Sequence, residues 1–456
     1  MTSSLTRRSF ANAMGFVLAG SGGGTLTMTK GSPDVAVPPD QPTNETWRYG
    51  LTFPFQVSSD TAAIFCNIRG QSGHDYEIGT DVFLFREFSG LREREAIPIS
   101  RNHEETNPHS DPPGQPAIMV KYPVRGGFVP MGALLADGSP HPHAGTGFGC
   151  SQVIAWTPDR KGVYPQDRRE DYMEVYQLAF DGRQFQVTAT ARLTFGRLLH
   201  GAVLSNPGIT TAIPDGEDLL FAMGGRIEQD RGSGLTRWRR GREGWRPVSW
   251  SPITGPDKAF EPSVVRDRDG TLLFCARGGR GPDYNDIRVW RSTGGDAPWK
   301  KVIHVRGVVS TAPIAINRSR SGDPYVASNL YSVLEEPMVP GHRYPRDEQG
   351  NTRLGGWLRE RLAFWPLDQE RRGLETPLLV RHCAGDFGPA PSGFTWGVDH
   401  PSAHTVRLAD GKWHDVIGMR ICDLGEVLRG EAPTPHTGAY VEEVLTGGES
   451  RPAWSF

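Results

Sequence analysis

The sequence predicts an all-β fold, and within that class a six-bladed β-propeller. Among the 456 residues, 56 glycines and 37 prolines separate short Val, Ile, Leu and Phe runs, and no apolar helical period persists. A unit of two β-hairpins also recurs at spacings of roughly 50–90 residues, which is typical of propeller blades. Five or seven blades remain alternatives because the first copy of the unit is degenerate.

The first hairpin of five units is marked by a proline and, eight to ten residues later, by a glycine turn such as Asp269-Gly270 or Asp410-Gly411, and the degenerate first unit has only the proline. Proline is tolerated at the first residue of a strand because it needs no N–H there. The six marking dipeptides are Phe53-Pro54, Val129-Pro130, Asn206-Pro207, Glu261-Pro262, Ala312-Pro313 and His400-Pro401. The residues before these prolines are therefore predicted to form one ring at a mouth of the central channel.

The second hairpin of most units pairs an apolar strand with a charged turn and another strand, as in VYQLAFDGRQFQV at 175–187. Two consecutive hairpins make one four-stranded sheet, which is the blade of a propeller. A large β-sandwich is the alternative all-β architecture, but it does not explain why the same unit recurs.

The N-terminus predicts export. Arg7 and Arg8 precede Ser9, Phe10 and a mildly apolar stretch, and this pattern resembles the twin-arginine signal of bacteria. Residues 1–30 are predicted to be the signal, 31–44 a proline-rich tether and 45–456 the propeller domain. The resemblance implies the twin-arginine machinery as a partner and a periplasmic or secreted location.

The remaining composition argues against several other classes of function. The formal charge of −2 does not indicate a basic surface for nucleic acid, and no later apolar run is long enough to span a membrane. The five cysteines lack metal-ligand spacing and are interpreted as core thiols. His141 and His143 would need a third ligand to chelate a metal, so neither a metal nor a cofactor is predicted.

Turn positions bring charged residues together at the predicted mouth. With Asp269-Gly270 as the turn, Arg277 is expected opposite Pro262 and near Glu261. The equivalent count for blade six places Arg420 opposite Pro401, beside Asp399 and His400. Further candidates at the mouth are Arg69, Arg226, Asn206 and His143.

Two segments resemble the sialidase superfamily. EPSVVRDRDGTLLFCAR, residues 261–277, is similar to its Glu-Pro-Ser…Asp-Gly…Arg segment, and RSTGGDAPW, residues 291–299, resembles its Asp-box (BNR) turn. The resemblance implies that Glu261 polarises a tyrosine nucleophile, for which Tyr331 is the candidate. It also implies that Arg277 and Arg420 grip a sugar carboxylate, while His400 or Asp399 transfers protons.

The function predicted from these features is that of a sialidase-like glycoside hydrolase acting on an acidic, carboxylate-bearing glycan. One alternative is a polysaccharide lyase, with His143 or His400 as base and Tyr331 or Tyr176 as acid. Another is a propeller that binds glycans without catalysis, in which Glu261 and Arg277 are only an ion pair closing a strand end. The sugar and its linkage stay open at this level.

Overall fold

The computed structural model describes residues 34–35, 47–70, 78–87, 96–107, 114–159, 172–194, 199–227, 230–254, 260–278, 286–306, 313–330, 359–393, 395–425, 438–443 and 454–455. These residues form six small antiparallel sheets, and the only α-helix among them is one of five residues. The sheets are the six blades of a β-propeller, as the sequence predicts. The export signal predicted at residues 1–30 lies outside the described residues.

The strands follow the chain blade by blade. The first, β1 (Asp34–Val35), precedes blade 1. Blade 1 consists of β2 (Trp47–Ser58), β3 (Thr61–Gly70), β4 (Ile78–Phe85) and β5 (Ala96–Arg101). Blade 2 consists of β6 (His103–Asn107), β7 (Gln115–Lys121), β8 (Arg125–Val129), β9 (Thr146–Trp156), β10 (Tyr172–Phe180) and β11 (Phe185–Thr194). Blade 3 consists of β12 (Ala202–Pro207), β13 (Ile213–Asp215), β14 (Asp218–Ile227), β15 (Asp230–Gly241) and β16 (Gly244–Pro252).

Blade 4 contains β17 (Phe260–Arg266), β18 (Leu272–Arg277), β19 (Ile287–Ser292) and β20 (Lys300–Val305). Blade 5 contains β21 (Ala315–Arg318), β22 (Pro324–Asn329), β23 (Arg361–Pro366) and β24 (Leu378–His382), followed by the helix α1 (Cys383–Phe387). Blade 6 contains β25 (Trp396–Arg407), β26 (Trp413–Asp423) and β27 (Gly438–Glu443), and β1 pairs with β27 as its outermost strand. Blade 6 is thus built from both ends of the described chain, which closes the ring.

The strands near the axis pack in ring order. β2 contacts β8 and β25, β14 contacts β8 and β17, and β21 contacts β17 and β25. Each pair of neighbouring blades encloses its own apolar core, so six cores follow one another around the axis. The core between blades 2 and 3 contains Trp238 and Trp245, so these tryptophans pack between blades. All five cysteines are buried free thiols.

The Asp-Gly turns behave as their sequence predicts. Gly270 and Gly411 have φ values of 84° and 75°, the left-handed region that glycine adopts without a steric cost. Asp269 and Asp410 accept hydrogen bonds from the backbone N–H groups of Thr271 and Lys412, which fixes both turns. Among the described residues, no helix is long and apolar enough to cross a membrane.

His414 links the hairpin turn of blade 6 to the next strand of that blade. Its Nδ1 lies 2.7 Å from Glu443 Oε1 and its Nε2 lies 3.1 Å from Asp410 Oδ2. The hydrogen bond to Glu443 and the nearby Asp410 raise the pKa of His414, against an opposing effect of burial. Charged His414 therefore stabilises the folded state more than the unfolded one.

We expect this stabilisation to be complete below the unfolded histidine pKa of about 6.5 and to be lost as pH rises through the higher folded value. Urea unfolding across that range should show a decrease in the free energy of unfolding with pH. The His414→Gln variant should lack this component. An identical pH profile for the wild type and the variant would contradict the assignment.

Candidate active site

The innermost strands of blades 4 and 6 each carry a β-bulge close to their first residues. The bulge of blade 4 holds Glu261 and Pro262, and that of blade 6 holds His400 and Pro401. Glu261 has a φ of 50° and His400 a φ of 53°, a left-handed backbone that residues other than glycine rarely adopt. Strain of this kind costs about 1–3 kcal/mol per residue and concentrates at functional sites. The bulges thus mark both residues as candidates for function.

The bulges change the register that turn counting predicts. Arg277 pairs with Phe260 instead of Pro262, and Arg420 pairs with Asp399 instead of Pro401. One residue of the shift arises at the turn, since Arg266 pairs with Leu272 and Arg407 with Trp413, and one arises at the bulge, where the inner strand has an extra residue. The correction amounts to two residues, so each arginine stays on its expected side of the sheet. Both arginines remain beside the bulge of their own blade.

The same register places the other predicted ring members differently. In blade 1 the bulge lies between Tyr49 and Thr52, and Phe53 is a buried core residue further along β2. In blade 3 the bulge lies between Leu204 and Pro207, so it includes Asn206. Asn206 is therefore at the level of the mouth, whereas Phe53 is not.

Two predicted arginines fall one residue beyond the position of Arg277. Arg226 pairs with Val203, and Arg69 pairs with Arg48, whereas the equivalents of the Phe260–Arg277 pair are Leu204–Gly225 and Tyr49–Ile68. Successive residues of a strand point to opposite faces. The register thus does not group Arg226 with Arg277 and Arg420, and the backbone of Arg69 pairs one residue beyond their position.

Blade 2 departs most from the prediction. Its inner strand β8 ends at Val129, so Pro130 follows the strand instead of opening it. His143 belongs to the loop after β8, where His141 Nε2 lies 3.2 Å from the carbonyl oxygen of Gly216 in the turn of blade 3. Arg125, at the other end of β8, is about 13 Å from Val129 at ~3.3 Å per residue. His143 is therefore on the face opposite Glu261, and its predicted place at the mouth is wrong.

The first residue of β8, Arg125, occupies the mouth instead. Its Nη1 donates to the carbonyl oxygen of Pro207 at 2.9 Å, and its guanidinium lies 4.3 Å from the centre of the Phe53 ring. Its Nε is buried without a hydrogen-bond partner. Burial lowers the pKa of Arg125 to about 10, so it remains a cation at neutral pH.

Sequence reasoning missed Arg125 because it aligned blade 2 on Pro130. The glycines that follow Arg125 are the signal that could have found it. A Cβ atom at Gly126 would lie 1.9 Å from the carbonyl oxygen of Phe148, so this strand tolerates only glycine there. Such close backbone approach is typical of an inner strand.

Glu261 contacts two basic side chains at the mouth. Arg277 Nη1 donates to Glu261 Oε2 at 3.0 Å, and His400 Nε2 lies 3.6 Å from Glu261 Oε1. Because blade 5 lies between blades 4 and 6, the second contact spans the mouth. Burial alone would raise the pKa of Glu261, but Arg277, His400 and Arg125 hold it well below its usual range. The carboxylate is therefore ionised at neutral pH.

Asp399 is the buried centre of the second half of the site, with a side chain that is 0% exposed. Arg420 Nε donates to its Oδ1 at 2.7 Å, and Arg420 Nη2 and Arg359 Nη1 both donate to its Oδ2. His400 Nδ1 lies 3.0 Å from its Oδ1. Burial opposes ionisation, but Arg420, His400 and Arg359 keep the pKa of Asp399 well below its usual range.

Arg359 reaches this site from a segment with no recognisable sequence signal. It precedes β23, and its carbonyl oxygen accepts a hydrogen bond of 2.7 Å from the backbone N–H of Val398. Asn329 donates its side-chain Nδ2 to the same carbonyl oxygen at 3.0 Å. The tertiary fold alone makes Arg359 a neighbour of Asp399.

The assembled site has a buried part around Asp399 and a partly exposed floor. The floor consists of Glu261 and Arg277, each 18% exposed, with Arg359 at 15% and His400 at 10%. Among the side chains of the mouth that the structure describes, four guanidinium groups face two carboxylates, so these groups together carry an excess of positive charge even with His400 neutral. An anionic ligand group would balance that excess.

Some predicted features cannot be placed. The predicted nucleophile Tyr331 and the loop to residue 358 lie outside the described residues. Within the described ranges, no group of three or more His, Cys, Asp or Glu side chains could hold a metal ion.

No protein-family model and no curated protein sequence matches the chain. Among solved structures, the fold is similar to the Hadza microbial sialidase Hz136 with a TM-score of 0.50 and 10% identity, over 87% of this chain and 65% of that one. The leech intramolecular trans-sialidase has a TM-score of 0.48 and 11% identity, over 92% and 70% of the two chains. An alpha-L-arabinanase of Penicillium chrysogenum has a TM-score of 0.43 and 13% identity, over 92% and 98%. At 10% identity, the likeness to the Hadza microbial sialidase shows the fold alone.

Proposed function

We propose that the protein is an exported, sialidase-like glycoside hydrolase that acts on an acidic glycan. The observation that carries the proposal is the excess of guanidinium groups around Glu261 and Asp399 at one mouth of the propeller. Similarity of fold to sialidases adds support at the level of architecture. The export route rests on the twin-arginine pattern at Arg7 and Arg8.

Carboxylate binding is the first role that the site is suited to perform. Arginine binds a carboxylate through two parallel N–H groups, and such charge-assisted hydrogen bonds are among the strongest in proteins. Arg277 and Arg359 belong to the partly exposed floor, so they would meet the substrate first. Asp399 fixes Arg420 and Arg359 in place, and Glu261 fixes Arg277.

Proton transfer is the second role. Glu261 is ionised, so it would accept a proton from a nucleophile instead of donating one. The sequence resemblance assigns that nucleophile to Tyr331, which would attack the anomeric carbon. As the glycosidic bond breaks, His400, oriented by Asp399 through Nδ1, would donate a proton from Nε2 to the leaving oxygen. It would then take a proton from the water that attacks the anomeric carbon and cleaves its bond to the tyrosine, while Glu261 returns its proton to the tyrosine oxygen.

The test is a paired assay on a panel of sialylated and uronate-containing oligosaccharides. New reducing ends and ultraviolet absorbance are recorded together for the wild type, for Arg277→Met and for a control, Arg246→Met, on the exposed part of β16. We expect reducing ends without absorbance in the wild type and control. A loss of about tenfold to a hundredfold is expected in Arg277→Met, because one charged hydrogen-bond donor is removed.

Other outcomes would point to other functions. Absorbance that rises with the reducing ends would indicate a lyase, in which the His400–Asp399 pair supplies the base. Binding of the oligosaccharides without any product would indicate a non-catalytic glycan-binding propeller. Equal activity in Arg277→Met and the control would show that the mouth takes no part in the reaction.

A further inference from the structure

The channel of the propeller contains a cavity of about 130 Å³ that is distinct from the mouth. Residues of the inner segments of blades 3, 4, 5 and 6 line it, so it lies on the central axis. Its polar lining residues include Thr210, Thr211, Arg266, Asn317, Arg318 and His404.

The cavity is separated from the candidate active site along the strands. Val265 follows Glu261 by four residues on β17, which corresponds to about 13 Å at ~3.3 Å per residue. His404 follows His400 by the same number of residues on β25. None of the charged residues of the mouth lines the cavity.

One hydroxyl group in the cavity lining lacks any protein partner. The Thr210 side chain belongs to a residue that is 5% exposed, and its Oγ1 is buried with no hydrogen bond. An unsatisfied buried hydroxyl costs about 1–3 kcal/mol, so such groups normally have a bound partner. The neighbouring Thr211 Oγ1 lies 3.4 Å from His404 Nδ1.

The charges around the cavity favour an anion as that partner. Arg266 and Arg318 both line it, and no Asp or Glu is among the lining residues. Asp215, which accepts from Arg266 Nη2 at 2.6 Å, is outside the lining. Burial, with Arg318 nearby, lowers the pKa of His404 to about 4, so the ring is neutral at pH 7 and adds no charge to the lining.

We propose that this axial cavity is a second ligand site that binds a small anion, of halide to acetate size, through the hydroxyl group of Thr210. The volume is several times the ~10–15 Å³ that one water molecule needs by a comparable measure, so a small anion with one or two waters fits. The Arg318 side chain supplies positive charge nearby and the Thr211 hydroxyl a further polar group. The site is independent of the glycan-binding mouth and of the function proposed for it.

The test uses the full-length domain labelled with ¹³C and ¹⁵N in its histidine rings, with the His404 signals assigned from a His404→Gln variant. Chloride, and in a second series acetate, replaces gluconate at constant sodium concentration. Gluconate serves as an anion too large for the cavity. We expect a saturable shift of the His404 signals in the wild type and a binding constant about tenfold to a hundredfold weaker in Thr210→Val.

Matched variants separate the axial site from other effects. Thr210→Val removes only a hydroxyl group that has no protein partner, so folding should be retained, and Thr210→Ser should restore binding. Thr190→Val, on the exposed part of β11, controls for a change of the same kind elsewhere. Arg277→Met should bind chloride in the cavity like the wild type, which excludes anion binding at the mouth as the cause.

Three results would overturn the proposal. They are the absence of a saturable shift with either small anion, an equal shift when the concentration of sodium gluconate alone is raised, or an unchanged binding constant in Thr210→Val. The first would mean that the cavity contains water alone, and the other two would mean that the shift does not report an anion bound through Thr210. None of these results affects the hydrolase proposal, which the paired assay tests at the other site.

Discussion

Asp399→Asn is expected to lower the free energy of unfolding by about 3–5 kcal/mol, the usual cost of removing one partner from a buried ion pair. The substitution preserves shape but leaves the charge of Arg420, which is 5% exposed, without its carboxylate. Arg359 and His400 lose the same partner. Urea unfolding followed by tryptophan fluorescence measures the change.

The double variant Asp399→Asn/Arg420→Met provides the control. Removing both charges should recover part of the lost stability, because the penalty of the single variant comes mostly from an uncompensated buried cation. If Asp399→Asn unfolds at the same urea concentration as the wild type, Asp399 is not the electrostatic centre of the site.

Glu261→Gln is expected to lower kcat by about a hundredfold to ten-thousandfold, the range for loss of a general acid–base group. The amide retains the size of the side chain and its contact with Arg277, so KM should change less than kcat. The free energy of unfolding should fall as well, because the depressed pKa of Glu261 means that its charge stabilises the folded state, so kcat is compared at a temperature where both proteins are fully folded.

A matched change at Glu243, in the exposed turn before β16, serves as the control. Glu243→Gln should retain wild-type kinetics. Equal kcat for Glu261→Gln and Glu243→Gln would reduce the Glu261–Arg277 pair to an ion pair at a strand end, the structural alternative that the sequence leaves open.

The architecture was accessible from sequence because turn chemistry is local. An Asp-Gly pair forms its turn through one side-chain acceptor and one left-handed glycine, both of which are evident from two adjacent residues. Counting these turns gave the number of blades. It also placed Glu261, Arg277, His400 and Arg420 at one mouth.

The exact register could not be predicted from the sequence, because a proline near the end of a strand can either open that strand or follow it. Pro262 lies near the start of β17, whereas Pro130 comes after the end of β8. Both positions suit a residue without an N–H. The ambiguity moved His143 to the wrong face and concealed Arg125. Arg359 could not be found at all, since only contacts between distant segments bring it to Asp399.

The most direct test of the central proposal changes the substrate instead of the enzyme. An acidic oligosaccharide that the wild type cleaves is compared with its methyl ester, which removes the negative charge and preserves the sugar. We expect the wild type to prefer the acid by about tenfold to a hundredfold in kcat/KM, and Arg277→Met to lose most of that preference. Equal rates on acid and ester in the wild type would contradict a mouth whose arginines recognise a carboxylate.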